Sequence, residues 1–389
     1  MPEDRDYGDN PFIYDDPVSP RELIDRQDET DHLVALAAGS HNSRVQAPRR
    51  YGKTSLLLKV ADDLEKQGWR MVYVDFLLAT TAEEVARRLE VAYRKSLTGP
   101  LSQTLTRLKR SWHPKVKVAP GGVGGSAEYA STPDVMQRLD DLLDLPLQLQ
   151  KKSGERTLVI FDEFQDFLRA AGDLEGLLRS KIQHHGDAAS YIYSGSEQAL
   201  LEEAFGNRRR SLYDQARPLY LAPLADQDIA DYIEDRFEKT GKFVEGATLD
   251  FLLELVRGHP QRSMLVAHHL WEQTQPGQTA TVETFDRALT VIDRELNERF
   301  EYTWHSLAEK PNLRDVLLAL ALDQGTLFSK QTLDRYHLSK GRAQSGEDGL
   351  TRLGEVQRVN NKPIIIDPLL ERWLLRRSGL LLPERGEQG

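Results

Sequence analysis

The residues with the clearest chemical pattern lie between positions 47 and 55. They read Ala47-Pro48-Arg49-Arg50-Tyr51-Gly52-Lys53-Thr54-Ser55, which fits the phosphate-loop pattern G-x4-G-K-[ST] except at its first position. In such a loop, backbone amides and a helix N-terminus surround phosphate oxygens. Lys53 would reach the β- and γ-phosphates, and the Thr54 hydroxyl would bind Mg²⁺. The sequence therefore predicts a nucleotide-phosphate site; the alternative is a chance Gly-Lys-Thr at the start of a helix.

Ala47 stands where the pattern has its first glycine. Alanine is the smallest alternative to glycine, but it does not adopt a positive φ easily. We therefore expect the substitution to weaken the loop, which leaves open a nucleotide-binding scaffold with little hydrolysis.

A second pattern follows the apolar run Leu158–Phe161, where Asp162 and Glu163 come directly after a predicted buried strand. In open α/β sheets, ligands bind at the carboxyl ends of the parallel strands. Asp162 would hold Mg²⁺ through its water shell, and Glu163 would orient or deprotonate an attacking water. The alternative is a strand that ends in two solvated acids.

Two weaker candidates lie further along the chain. Ser194, near the end of a third predicted strand, could sense the γ-phosphate, although a turn that needs Ser and Gly explains it equally well. The run Arg208-Arg209-Arg210 could supply an arginine finger to a neighbouring subunit, and its alternative is an exposed, arginine-rich helix end.

The elements around these residues predict a parallel α/β sheet, because strands and amphipathic helices alternate along the first half of the chain. The predicted strands are 70–76, 157–161, 190–193 and 218–221, and 45–47 leads into the phosphate loop. The predicted helices are 21–37, 54–67, 82–97 and 133–150.

Residues 91–127 interrupt this alternation with basic residues and no acid, and the stretch ends in a Gly-rich run. The pattern predicts a hairpin or mobile insertion that contacts a polyanion or an acidic partner, since clustered positive charges attract such partners. The alternative is a solvated hairpin. The basic residues are Arg94, Lys95, Arg107, Lys109, Arg110, Lys115 and Lys117.

Beyond residue 225 the strand signal disappears, and four helices are predicted, followed by a helix–turn–helix and a hairpin typical of a winged helix. We predict an extended arm (1–20), an α/β P-loop domain (21–225, with its insertion at 94–127), a helical lid (226–309) and a winged-helix domain (310–389).

Composition narrows the function classes. The 389 residues are 39% hydrophobic and 29% charged, with a net charge of −10, which argues against a surface covered with nucleic-acid-binding charge. The absence of cysteine excludes disulfides, thiolate zinc sites and cysteine nucleophiles. No apolar run approaches the length of a membrane span, and the N-terminal residues are acidic, so we expect a cytoplasmic protein without a membrane partner.

Taken together, these segments resemble the archaeal-type ATPases of the STAND branch of AAA+ P-loop NTPases, and the resemblance covers nearly the whole chain. The phosphate loop 48–56 is the most specific match, and Phe161–Gln165 is similar to the acidic strand end. Tyr213-Asp214-Gln215 departs from the Tyr-Gly-Arg that this family often carries.

The resemblance implies a P-loop NTPase fold with ATP and Mg²⁺ as cofactors, and it assigns further residues to the nucleotide. Arg26 lies in a leading segment near the adenine, Pro260 in a Gly-x-Pro motif of the lid that contacts the base, and Arg262 near the position of a second sensor arginine. The predicted magnesium ligands are Thr54 and Asp162.

These patterns predict an ATP-hydrolysing molecular switch with slow turnover, which would assemble into a homo-oligomer on binding ATP. The alternative is a DNA-binding initiator or regulator, for which the winged helix and the basic insertion would contact DNA. Lys340, Arg342, Gln344 and Arg352 would then lie in its recognition helix. A protein partner of the winged helix is the third option, because such domains also pack internally.

Overall fold

The computed structural model describes residues 10–112, 135–323 and 326–379. They fall into two compact units. The sheet unit contains residues 27–47 and 56–220, and the lid–wing unit contains the described residues of 1–26, 48–55 and 221–389. Among the described residues, no helix combines the length and apolar character needed to cross a membrane.

The sheet unit is built on five parallel strands in the order β2-β3-β4-β1-β5. All of the strands predicted from the sequence are present, and each has shifted by at most a few residues at its ends. Because every pairing is parallel, the carboxyl ends share one edge, where Asp75 of β2 is level with Asp162 of β3. The strands are β1 (Ser43–Gln46), β2 (Arg70–Asp75), β3 (Thr157–Asp162), β4 (Ala189–Gly195) and β5 (Arg217–Tyr220).

Helices cover this sheet, and stacked aromatic rings fill the space beneath them. Phe161, at the centre of this core, is fully buried, and its ring centroid lies 5.3 Å from that of Phe76. The helices are α1 (Gln27–Ala38), α2 (Lys53–Lys66), α3 (Ala82–Ser96), α4 (Ser102–Trp112), α5 (Val135–Leu143), α6 (Leu145–Ser153), α7 (Phe164–Ala170), α8 (Leu174–Ile182) and α9 (Gln198–Gly206).

The predicted start of the first helix is wrong: α1 begins at Gln27, not near residue 21. Asp25 and Arg26 have left-handed backbones, with φ of 52° and 73°, which a right-handed helix does not accommodate. The Arg26 guanidinium donates from Nη2 to the carbonyl of Ala222 at 2.6 Å, and this contact fixes the segment in its non-helical form.

The predicted hairpin at 91–127 is also wrong in its described part, which forms the end of α3, a short 3₁₀ turn and α4. The expected lack of a counter-ion does not hold for Lys109, whose Nζ lies 2.6 Å from a carboxylate oxygen of Glu90 on α3. Arg94, Lys95 and Arg107 are exposed. Residues 113–127, with Lys115, Lys117 and the Gly-rich run, lie outside the described residues, as does the Arg110 side chain.

The lid consists of the four predicted helices and one unexpected feature. A two-stranded parallel sheet pairs β6 (Phe243–Val244) with β7 (Thr279–Ala280). Strands of two residues carry no periodic signal, so sequence patterns could not predict them. The helices are α10 (Asp226–Lys239), α11 (Gly246–Val256), α12 (Pro260–Glu272) and α13 (Val282–Ser306).

The C-terminal segment has the predicted winged-helix order of three helices and a hairpin, followed by a last helix. The hairpin turns at Asn360-Asn361, whose φ values of 50° and 63° suit a tight two-residue turn. Leu317, Leu350 and Leu374 share one buried core with the lid. The elements are α14 (Pro311–Leu322), α15 (Lys330–Arg335), α16 (Lys340–Leu353), β8 (Val356–Val359), β9 (Lys362–Ile365) and α17 (Pro368–Arg377).

Candidate functional site

The phosphate loop connects β1 to α2 and contains two residues with left-handed backbones. These are Arg50 (φ 68°) and Gly52 (φ 78°), whereas Ala47 is buried and has no positive φ. The expected strain at Ala47 is therefore absent, and alanine fits the first position of the loop. The residue that takes up an unfavourable conformation is instead Arg50.

Lys53 lies at the start of α2, as the phosphate-loop pattern predicts. Its Nζ donates to the carbonyl of Pro48 at 2.9 Å, and the residue is 7% exposed. The lysine therefore folds back over its own loop, with its charge shielded from bulk water. Ser55, two residues on, accepts a hydrogen bond from the Val18 amide at 3.2 Å, which fastens the leading segment to the loop.

Tyr51 joins this loop to both the lid and the wing. Its ring packs edge-on against His259 of the lid, with the centroids 5.0 Å apart. Its hydroxyl accepts a hydrogen bond from Nε2 of Gln357, on β8 of the wing, at 3.5 Å. A displacement of the loop would consequently be transmitted to two segments that lie more than 200 residues further along the chain.

The Gly258-His259-Pro260 motif starts α12. Gly258 has a φ of 73°, and a Cβ there would overlap the carbonyl of Leu224 and lie 2.8 Å from the Pro223 Cβ, so only glycine fits. The His259 Nδ1 accepts the amide hydrogen of Arg262 at 3.3 Å and caps the helix. Burial lowers the pKa of His259 to about 4, so its ring is neutral at pH 7. Pro260 is the first residue of the helix.

Arg262 is engaged by the protein itself. It is 1% exposed, and its guanidinium makes a two-pronged ion pair with Asp367, with Nε at 2.9 Å from Oδ1 and Nη2 against Oδ2. Burial alone would raise the pKa of Asp367, but Arg262 outweighs that effect and holds it below its usual range. Asp367 also caps α17 through the Leu369 amide. The predicted sensor arginine therefore joins the lid to the last helix.

Further charges surround this pair. Partial burial, with Arg299 and Arg262 nearby, lowers the pKa of Arg50, and burial with Asp367 nearby raises the pKa of Glu355. Arg299 and Glu355 were not found by sequence reasoning, because an isolated arginine on a helix and an isolated acid before a strand match no motif. Arg49 is exposed.

The two acids of the strand end lie in the sheet unit, and each has defined partners. Asp162 is 5% exposed, and its Oδ2 accepts the hydroxyl hydrogen of Tyr73 on the neighbouring strand. Its Oδ1 accepts the amide hydrogen of Glu163 at 3.0 Å. Glu163 has a left-handed backbone, with φ of 47°. This conformation turns the chain out of the strand direction just before α7 begins.

The hydroxyl that contacts Glu163 is that of Ser196, not Ser194. Ser196 Oγ donates to Glu163 Oε2 at 3.0 Å, and Nε2 of Gln165 donates to the same oxygen. Ser194 is fully buried within β4, and its Oγ has no hydrogen-bond partner among the described residues. Ser196 is the first residue after β4 and belongs to the same Ser-Gly-Ser run as Ser194, which is the signal that could have identified it.

The three arginines at 208–210 differ from one another. Arg210 is half-buried and pairs with Glu175, with Nη2 at 2.7 Å from Oε2, and with Glu203 at 3.1 Å. Arg208 and Arg209 are exposed. Only these two therefore remain suited to a finger that reaches another molecule.

The residues proposed for Mg²⁺ fit the ion's chemistry. Thr54 and Asp162 offer oxygen atoms, which Mg²⁺ prefers. Within the described ranges, no group of three or more His, Cys, Asp or Glu side chains could hold a metal without help. In P-loop proteins, nucleotide phosphates and waters complete the coordination of Mg²⁺.

Comparison with known proteins identifies the fold. No protein-family model matches the chain, and no curated protein matches it significantly. A Walker-type ATPase of Pyrococcus abyssi has a similar structure (TM-score 0.64, 18% identity, 95% of this chain and 99% of that one covered). The ORC2 protein of Aeropyrum pernix, in its ADPNP–ADP complexes, is also similar (TM-score 0.55, 17% identity, 97% and 99% covered).

These likenesses extend over nearly the full length of both chains, so they include the sheet, the helical segment and the C-terminal domain. The STAND assignment stays a prediction. The chain has the α/β fold of AAA+-like P-loop NTPases, as the sequence predicted.

Proposed function

We propose that the protein is an ATP-binding, Mg²⁺-dependent ATPase that works as a nucleotide-driven molecular switch. The observation that carries this proposal is Tyr51: one residue of the phosphate loop contacts both the lid at His259 and the wing at Gln357. A nucleotide bound to the loop would therefore affect both the lid and the wing.

In this proposal the loop amides, Lys53 and the N-terminus of α2 bind the phosphates. Thr54 and Asp162 hold Mg²⁺, which supplies charge neutralisation for the phosphoryl oxygens when it is bound. Glu163 accepts the proton of the attacking water. Arg26 and Pro260 contact the base, and Arg208 or Arg209 acts on the nucleotide of a neighbouring copy in an ATP-dependent homo-oligomer.

Nucleotide binding is tested first, at Lys53. Lys53→Ala should abolish ATP affinity in a calorimetric titration, because a shielded, charge-assisted contact to the phosphates is lost. Lys59→Ala is a matched control: Lys59 lies on the same helix but pairs with Asp63, so affinity should stay unchanged. Unchanged affinity in Lys53→Ala would refute the phosphate site.

Variants of the two acids separate ATP binding from ATP hydrolysis. Glu163→Gln keeps the shape of the side chain and should retain ATP while losing hydrolysis, whereas Asp162→Asn should weaken the magnesium dependence of binding. Wild-type hydrolysis in Glu163→Gln would remove this residue from the reaction. Light scattering of the eluting protein, with and without ATP and Mg²⁺, tests assembly.

The switch requires the Arg262–Asp367 pair to respond to the nucleotide. We propose that the γ-phosphate competes with Asp367 for Arg262, which loosens α17 from the lid. Hydrogen–deuterium exchange of residues 356–377 should then rise with ATP over ADP in Glu163→Gln. Equal exchange in the two states would contradict the switch and leave a simple ATPase.

DNA binding by the wing is the second candidate. It is favoured by one observation: Lys340, Arg342, Gln344 and Arg352 of α16 are all exposed. If α16 contacts DNA, Lys340→Glu with Arg342→Glu should weaken binding and reduce its salt dependence, because phosphate contacts release counter-ions. Lys330→Glu on α15 is the control, and charge reversal at Arg107 and Lys109 tests the basic insertion in the same assay.

A further inference from the structure

Gln165 is a buried polar side chain beside the proposed catalytic acid. It lies in the first turn of α7, two residues after Glu163, and is 3% exposed. Its Nε2 donates to Glu163 Oε2, and its Oε1 is buried with no hydrogen-bond partner among the described residues. Burying an amide in this way is unfavourable, which indicates that the position serves a purpose beyond packing.

The sheet leaves room for this amide at Gly195, the last residue of β4. A Cβ at this position would overlap Gln165 Oε1 and lie 2.9 Å from a methyl carbon of Leu201. The φ of Gly195 is not positive, so the backbone conformation does not require glycine. With Gln165 in this position, a Cβ would fit only if the amide moved away.

Two donors converge on one oxygen of Glu163. Gln165 and Ser196 both donate to Oε2, and no side chain of the described part of the chain donates to Oε1. An oxygen that already accepts two hydrogen bonds is the poorer proton acceptor of the two. The arrangement therefore fixes the rotamer of a flexible side chain and leaves Oε1 to receive a proton.

We infer that Gln165 is a positioning residue for ATP hydrolysis, and this inference rests on the proposed function. As water oxygen bonds to the γ-phosphorus and the bond to the β-phosphate bridging oxygen breaks, the water proton passes to Oε1 of Glu163. Gln165 touches neither water nor nucleotide in this step. It holds in place the Glu163 carboxylate that accepts the proton.

The first test removes the donor and keeps the size. In Gln165→Leu, single-turnover hydrolysis should fall about 10- to 100-fold, as expected when a base is misoriented, while affinity for Mg²⁺-ATP stays within about threefold. In Gln165→Glu, the loss should be larger, because a second carboxylate beside Glu163 repels the first one and cannot donate a hydrogen bond to it.

The control is Gln148→Leu. Gln148 also donates through Nε2 to a carboxylate in the sheet unit, that of Asp144 at 3.1 Å, but away from the acidic strand end. Hydrolysis by this variant should match the wild type. Ser196→Ala, at a half-exposed site, removes the second donor without emptying a core position and should reduce hydrolysis about 3- to 30-fold.

A double-mutant cycle decides whether Gln165 acts through Glu163. Gln165→Leu should add nothing to the loss in Glu163→Gln, because the group it positions is already gone. An additive loss, or wild-type rates in both Gln165→Leu and Ser196→Ala, would overturn the inference alone. Wild-type hydrolysis in Glu163→Gln, or none in the wild type, would instead overturn the proposed function and the inference with it.

Discussion

The two units hold their functional residues in place by opposite means. In the sheet unit, the acidic strand end lies on an apolar aromatic core, in which the Phe161 ring has five other ring centroids within 6.2 Å. In the lid–wing unit, a buried ion pair between Arg262 and Asp367 joins the lid to the last helix.

The difference matters because the two interactions respond differently to perturbation. Ring packing is distributed over many contacts, and losing one leaves the others. An ion pair depends on both partners, and a competing anion can replace one of them. The sheet unit therefore supports its acidic strand end through many small contacts, whereas the helices of the lid–wing unit are joined through one interaction that a competing anion can break.

The strongest test of this contrast is Asp367→Ala. It leaves Arg262 buried without its counter-charge, and the lid–wing unit should lose about 3–5 kcal/mol of unfolding free energy. Urea unfolding followed by tryptophan fluorescence measures this, because three of the five tryptophans, Trp271, Trp304 and Trp373, lie in or against the lid–wing core. Asp235→Ala, which breaks an exposed pair with Lys239, should change the value by less than about 0.5 kcal/mol.

Replacing both partners sharpens the same point. Arg262→Met combined with Asp367→Asn removes both charges and keeps an acceptor for the Leu369 amide. At least half of the loss in Asp367→Ala should be recovered, because the penalty comes from an unpaired buried charge. A double variant as unstable as the single one would mean that packing, not charge, holds the helices together.

Lowering the pH should reduce the unfolding free energy of both units, because each contains one buried histidine. Burial lowers the pKa of His185 and of His259 to about 4, against 6.5 in an unfolded chain. Between these values the unfolded state binds more protons, so stability falls as the pH drops below 6.5. Each histidine should account for about 2–3 kcal/mol between pH 7 and pH 4.5.

Replacing a histidine isolates its share of this acid sensitivity. His185→Gln should reduce the pH dependence of the sheet-unit transition, and His259→Gln that of the lid–wing transition. The exposed His32→Gln should change neither. An unaltered pH dependence in both buried variants would show that other groups cause the acid sensitivity.

A smaller effect is expected in the aromatic core. Phe161→Leu leaves the neighbouring rings in contact with one another and should lower the stability of the sheet unit by about 1–2 kcal/mol. The midpoint of thermal unfolding, measured by circular dichroism, reports this change. If Phe161→Leu lost as much unfolding free energy as Asp367→Ala, the proposed difference between the aromatic core and the ion pair would be wrong.

The smallest changes in stability are expected for the arginines at 208–210, the candidates for an arginine finger. Arg210→Ala breaks the half-buried pairing with Glu175 and should destabilise the sheet unit by about 1 kcal/mol. Arg208→Ala should alter stability by less than about 0.5 kcal/mol. If Arg208 is a finger, its loss should lower hydrolysis only at protein concentrations at which oligomers form.

The sequence predicted what depends on local pattern. The run Leu158–Phe161 is a buried strand because four apolar residues in a row suit a parallel sheet, and Gly52-Lys53-Thr54 starts a helix as its motif implies. It did not predict Arg262 with Asp367, because 105 residues separate the two and no local pattern links them. Gln165 was missed for the same reason: its role depends on the space at Gly195, one strand away.

The position of β1 in the sheet has a consequence for how the protein is made. Ser43 of β1 is level with Ile192 of β4 on one side and Arg217 of β5 on the other, and among the described residues no segment nearer in sequence pairs with it. At ribosomal speeds of about 5–20 residues per second, β1 waits on the order of ten seconds before its first partner is synthesised. The phosphate loop, which depends on β1, is therefore completed late, and a chain truncated before residue 189 would expose an unpaired strand to aggregation.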